Sequence, residues 1–153
     1  MPSAIFDKIG ICKNELGDKN GAIIDYTKSI NIDSGYNDAW YYRAEIYYYN
    51  HQYTKAVYDL SKFLENVDDT EALFLRGKCK QALGNYKGAF SDYNEANLYG
   101  ADFAYRLAYC KYKLGDKDGA IVDLVRLKNN KDFVDDTNTY LKAVKLLNNI
   151  VGW

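Results

Sequence analysis

Proline is nearly missing from this chain of 153 residues: there is one, Pro2, at the extreme N-terminus. Its turns must therefore be made by glycine, asparagine and aspartate. Histidine is as scarce, with His51 alone, and no serine-histidine arrangement or metal-ligand spacing is built around it. Charge of one sign is lacking too: a net charge of −1 and a pI near 5.8 leave no electrostatic footprint for nucleic acid. No apolar run approaches the ~18 residues needed to span a bilayer, and the start does not read as a signal peptide. If Met1 is the natural start, a cytoplasmic location is expected. The repeating pattern begins almost at once, so an excised segment of a longer protein fits equally.

What is present is tyrosine, 16 of them, in a chain that is 48% hydrophobic and 27% charged. That balance belongs to globular proteins with a sizeable core. The chain also copies itself. Leu16-Gly-Asp-Lys-Asn-Gly-Ala-Ile-Ile-Asp-Tyr26 returns as Leu114-Gly-Asp-Lys-Asp-Gly-Ala-Ile-Val-Asp-Leu124, with looser copies around Ala56 and Ala89. The anchor alanines Ala22, Ala56, Ala89 and Ala120 are 34, 33 and 31 residues apart. A period near 34 marks a stack of helix-turn-helix units.

With each anchor alanine numbered position 20, a register appears. Position 4 holds Phe6, Trp40, Leu73 and Ala104; position 8 holds Gly10, Ala44, Gly77 and Ala108; position 24 holds Tyr26, Leu60, Tyr93 and Leu124. This pattern resembles the tetratricopeptide repeat, and position 8 and position 20 are small because the two helices of a unit touch there. The resemblance implies an all-α, right-handed superhelical solenoid of antiparallel helix pairs, one domain with repeats at about 3–36, 37–69, 70–100 and 101–134. The proline usual at position 32 is replaced by Ser34, Asp68, Ala101 and Asp132. Phe63 and Leu127 fill position 27, normally small, which predicts looser or rotated junctions after the second and fourth repeats.

Glycines 17, 84 and 115 are expected to end the first helix of their units in the left-handed conformation. His51 takes that place in the second, where its role is that of a turn residue. Asp135-Asp136-Thr137 reads as a helix start, and Tyr140, Leu141, Val144, Leu147, Ile150 and Val151 recur at helical spacing beyond it. A capping helix at about 136–151, covering the last repeat, is expected.

Position 10 holds Cys12, Ile46, Cys79 and Cys110, which predicts buried thiols rather than disulfides or metal ligands. Asp25, Asp59, Asp92 and Asp123 all stand at position 23. One carboxylate per repeat is too widely spaced to hold an ion, since packed helices lie ~8–10 Å apart. Pairing of these aspartates with Arg43, Arg76 and Arg106 accounts for them better. No catalytic residue, metal or cofactor is expected.

Helical geometry leaves a second stripe, positions 2, 5, 9 and 12 of each first helix, lining the concave groove that the resemblance implies. It runs Asp7, Ile11, Asn14; Asp38, Tyr41, Glu45, Tyr48; Glu71, Phe74, Lys78, Gln81; Asp102, Tyr105, Tyr109, Tyr112. Tyr41, Glu45, Tyr48, Phe74, Lys78, Tyr105, Tyr109 and Tyr112 are the expected partner-binding residues, because tyrosine combines large contact area with a polar tip. Acidic residues gather in the first half of the groove, and Lys78, Arg106 and Lys113 in the second. Relatives that clamp the C-terminal carboxylate of heat-shock proteins carry lysine and asparagine on the groove face of the first helix, asparagine on the second and lysine and arginine on the third. Here those slots hold Asp7, Ile11, Tyr42, Glu71 and Leu75, so this clamp type is not expected. The reading is a scaffold or adaptor for a protein or peptide partner, without nucleic acid or membrane. The alternative is a structural unit that forms homo-oligomers through its solenoid ends. Abundant Asn, Lys, Ile and Tyr fit an AT-rich bacterial source.

Overall fold

A computed structural model describes residues 2–35, 38–130 and 136–152. Its helices are α1 (Pro2–Glu15), α2 (Lys19–Ile32), α3 (Asp38–Tyr49), α4 (Tyr53–Phe63), α5 (Thr70–Ala82), α6 (Tyr86–Ala96), α7 (Ala101–Lys113), α8 (Lys117–Asn129) and α9 (Thr137–Val151). Among the described residues there is no strand, and no helix is long and apolar enough to cross a membrane. Each odd helix packs on the even one after it, and each even helix on the next odd one, which makes the chain an all-α solenoid of antiparallel helix pairs. α9 lies against α7 and α8.

The turns inside the pairs share one geometry. Gly17, Gly84 and Gly115 have φ of 85°, 77° and 92°, and His51 takes the same slot at 57°. At each, the left-handed residue and the one after it donate back to the last helical turn, as in Gly84 N to Gln81 O at 3.0 Å and Asn85 N to Lys80 O at 2.9 Å. His51 repeats this with 3.0 Å to Tyr48 O, and its Nδ1 lies 2.7 Å from the Tyr53 hydroxyl. The next helix then starts on a cap: Asp18, Asn85 and Asp116 accept from the amides of Gly21, Gly88 and Gly119. Asp136 caps α9 in the same way through Thr139 N.

The core runs between paired helices. Ala22, Ala56, Ala89 and Ala120 are wholly buried. Positions 8 and 24 alternate together: glycine meets tyrosine, and alanine meets leucine. A Cβ on Gly10 would come within 2.6 Å of the Tyr26 ring, and one on Gly77 within 2.5 Å of Tyr93. Where the facing residue is Leu60 or Leu124, Ala44 and Ala108 fit.

Two expectations are corrected here. Cys79 and Cys110 are buried, and burial pushes their thiols up to about 12 and about 11, but Cys12 is exposed. Position 10 faces the helix that precedes it, and no described helix precedes α1. In α9 the inward residues are Thr139, Ala143 and Leu146, while Leu141 and Val151 stay exposed. Ala143 and Leu146 pack with Leu124 and Leu127, and Leu147 and Ile150 of the expected face pack against the same cluster. Asp132 and Asp135 lie outside the described residues.

Candidate functional site

The inner helices are held at fixed angles by a ladder of ion pairs. Arg43 on α3 donates from Nε and Nη2 to both Asp59 oxygens on α4, at 2.7 and 2.9 Å, and from Nη1 to the Thr27 hydroxyl on α2 at 2.8 Å. Arg76 on α5 repeats the motif with Asp92 on α6 and Ser61 on α4. These bidentate pairs fix both partners, since the planar guanidinium matches the carboxylate fork. Arg106 departs from the expected scheme: it pairs with Asp102 on its own helix at 2.7 Å, because Leu107 occupies the slot of Arg43 and Arg76. Asp123 is held by Lys111 instead, as Asp25 is by Lys13 and Asp92 also by Lys80. The sequence carried a signal for these lysines, each of which precedes its aspartate by 12 residues.

With α3, α5 and α7 so placed, their exposed faces enclose two adjoining cavities. One, about 290 Å³, is lined by Tyr41, Glu45, Tyr48, Glu71, Phe74 and Lys78. The other, about 360 Å³, is lined by Tyr48, Lys78, Gln81, Tyr86, Tyr105, Arg106 and Tyr109, with Tyr53 at its edge. Tyr48 and Lys78 belong to both. Seven of the eight expected groove residues therefore line one continuous surface. Tyr112 lines neither cavity and packs toward the α7–α9 cluster. Tyr53 and Tyr86, at the starts of α4 and α6, were missed because the stripe was drawn on first helices only.

Two placements differ from the expected stripe. Tyr41 is not free of its helix pair: its ring lies 5.3 Å from Phe63 on α4, so the bulky position 27 is filled against it. Asp7 is buried at 3% exposure, among Asp38, Tyr26 and Tyr42. Among the described residues, its Oδ1 and the Tyr26 hydroxyl are buried without a hydrogen-bond partner. Burial and the Asp38 charge push the Asp7 carboxyl up to about 6.

Charge divides the groove. Burial and the neighbouring Glu71 raise the Glu45 pKa, and burial together with Glu45 pushes Tyr41 up to about 12. On the other side, burial and the Arg106 charge lower the pKa of Lys78. The Lys78 ammonium sits 5.0 Å from the Tyr48 ring and 5.1 Å from Phe74, and Lys113 rests over Tyr86 and Tyr109. Such contacts hold a cation on aromatic faces while leaving its outward side free.

Comparison with known proteins places this architecture. Residues 38–70 and 102–130 match the tetratricopeptide repeat family. Comparison with curated proteins gives no match. Among solved structures, the MamA protein superposes with a TM-score of 0.79 at 22% identity, over 99% of this chain and 87% of that one. YrrB, described as a TPR protein with an unusual peptide-binding site, gives 0.76 at 15% identity over 95% and 84%. The first TPR of Spaghetti (RPAP3), solved with the HSP90 peptide SRMEEVD, gives 0.66 at 22% identity over 74% and 94%.

Proposed function

Because the chain is a tetratricopeptide-repeat protein, we propose that it is a scaffold whose aromatic groove, formed by α3, α5 and α7, holds a protein or peptide partner. The observation that carries this reading is the pair of adjoining cavities joined through Tyr48 and Lys78. Together they offer tyrosine and phenylalanine faces at the centre of a surface with charged rims, the composition in which binding energy concentrates. YrrB and the RPAP3 domain, both of this fold, take peptides, which supports the same use here. The occupant differs from the heat-shock-protein peptide, since Asp7, Ile11, Tyr42, Glu71 and Leu75 stand where the clamp needs cations and amides.

The test is selection of dodecapeptides from a random phage library on the purified chain. Enriched peptides are expected to lose at least tenfold in affinity against Tyr48→Ala or Tyr109→Ala, and nothing against Tyr58→Ala on an exposed part of α4. Peptides that bind all three variants equally would move the site out of the groove.

A second reading is favoured by α1. Ile5, Ile9, Cys12 and Leu16 form a helical stripe that is exposed, Leu16 at 86% and Ile5 at 59%. The same helix face is buried at Ala39 and Ile46 in α3 and at Ala72 and Cys79 in α5. We infer that a second copy of the chain covers it, continuing the packing that joins successive pairs. Light scattering should report a dimer or larger species that Ile5→Glu with Ile9→Glu converts to monomer; a monomeric native chain excludes it.

A further inference from the structure

Lys78, like Lys113 at the rim, is a groove cation without an ion pair among the described residues, and it alone of the two lines the cleft. Arg43, Arg76, Lys80 and Lys111 each meet a carboxylate across a helix pair, and Arg106 meets Asp102. Among the described residues none lies within ion-pair distance of the Lys78 ammonium. Glu45 and Glu71 line the smaller cavity together with Lys78, yet neither lies within ion-pair distance of it. The side chain is half-buried, its ammonium lying over the rings of Tyr48 and Phe74. A cation kept partly out of water and short of a counter-charge is an incomplete pair.

The lining of the larger cavity carries two cations, Lys78 and Arg106, and Asp102 neutralises one of them. Among the residues that line it one positive charge is left over, the remaining walls being tyrosines with Gln81 and Ala82. That balance matches a single negative charge. A phosphate monoester, at ~−1.5 to −2 near neutral pH, would overfill it.

We propose that the cleft between α3, α5 and α7 binds the carboxylate side chain of an aspartate or glutamate in the partner peptide, with Lys78 as its counter-charge. This rests on the groove reading above and names the chemistry of its occupant. The carboxylate enters from the open side of the cleft, and the residues flanking it in the peptide pack on Tyr48 and Tyr109. The acidic wall at Glu45 and Glu71 sets direction: it repels a second carboxylate on that side, so the acid of the guest lies toward α7.

The experiment uses peptides selected on the full chain, resynthesised with acetylated N-termini and amidated C-termini so that the only carboxylates are side chains. Each aspartate or glutamate is replaced by its amide, and separately by phosphoserine, and binding is measured by calorimetry to the native chain and to Lys78→Met, Lys78→Arg and Lys113→Met. Methionine keeps an apolar stem without the ammonium, and the thermal unfolding of each variant is recorded alongside. One amide replacement is expected to weaken binding to the native chain and to Lys78→Arg at least tenfold, but not to Lys78→Met, which binds the acidic peptide tenfold more weakly from the start. Phosphoserine is expected to bind no better than the acid. Groove-dependent peptides that tolerate every amide replacement would overturn the proposal while the groove reading stands. So would an acid dependence that survives in Lys78→Met, or one lost only in Lys113→Met. Tighter binding of phosphoserine would reassign the cleft to a phosphorylated partner, and the absence of any groove-dependent peptide removes both readings.

Discussion

The α4–α5 junction and the α6–α7 junction meet the same requirement with different residues. At the first, Arg76 spans three helices, bonding Asp92 on α6 and reaching Ser61 on α4; Arg43 does the same for α2, α3 and α4. At the second, the equivalent residue is Leu107, and the space an arginine would occupy is a surface cavity of about 380 Å³. Leu98, Phe103, Leu107 and Leu127 line it together with Asn94, Lys111 and Asp123, so its walls are mostly apolar and open to the surface. Asp123 is left 22% exposed, against 2–3% for Asp59 and Asp92. A leucine at one position thus turns a bonded contact into an open one. A solenoid need not be uniformly stiff, because each junction depends on its own nearest neighbours.

The largest effect that would break this contrast is expected at Arg43. Arg43→Ala leaves the Asp59 carboxylate buried without its partner, and loss of one member of such a pair costs roughly 3 to 5 kcal/mol. Urea unfolding should show it, with Arg106→Ala as the comparison: that arginine pairs with a carboxylate that is 41% exposed, so its loss should cost under ~1 kcal/mol. Equal losses at the two sites would mean that the cross-helix bonds do not distinguish the junctions.

An intermediate effect concerns a flaw on the tightly bonded side. Asp7 has its carboxyl raised to about 6 by burial and Asp38, with Tyr26, Tyr42 and Glu45 also nearby. The folded state therefore favours the protonated acid more than the unfolded chain does. That contribution is fully present below the ordinary pKa near 3.8 and is lost as pH rises to 6. Asp7→Asn should then raise stability by on the order of 2 kcal/mol at pH 7.5 and change it little at pH 3.5. A pH-independent gain would show that the charge is not what strains the site.

The smallest expected effect is the most specific. Leu107 precedes Asp123 by 16 residues, the separation of Arg43 from Asp59 and of Arg76 from Asp92. Leu107→Arg should reach into the cavity, pair with Asp123 and gain about 1 kcal/mol, within the range of surface and cavity-filling improvements. A drop in melting temperature would show that α6 and α7 are already fixed in a spacing that excludes the guanidinium.

Much of this was legible from the chain because a repeat reports its own register four times. Ala22, Ala56, Ala89 and Ala120 located the helix pairs, and the glycines at 17, 84 and 115 located their turns. What the register could not give is what lies opposite a given face. Cys12 and Cys79 hold the same position, yet among the described residues only Cys79 has a preceding pair that covers it. Asp7 and Tyr105 likewise share position 5, but Asp7 lies buried among Tyr26 and Tyr42 while Tyr105 lines the open cleft. In α9 the bulky Leu147 and Ile150 marked part of the packed face, while the buried Thr139, Ala143 and Leu146 went unmarked. The groove was traced on first helices alone, so Tyr53 and Tyr86, brought in by the turns, escaped it.

Arg43 and Arg76 both end on α4, and that shared anchor makes α2 through α6 a single stiff beam. The seam before α7 has no such arginine fork, only Arg106 reaching across it from α7 to Gln81 on α5. The cleft around Lys78 has one jaw on each side of that seam, with α3 and α5 on the beam and α7 beyond it. An occupant seated between the jaws therefore touches two helices tied by the arginine forks and one that is not.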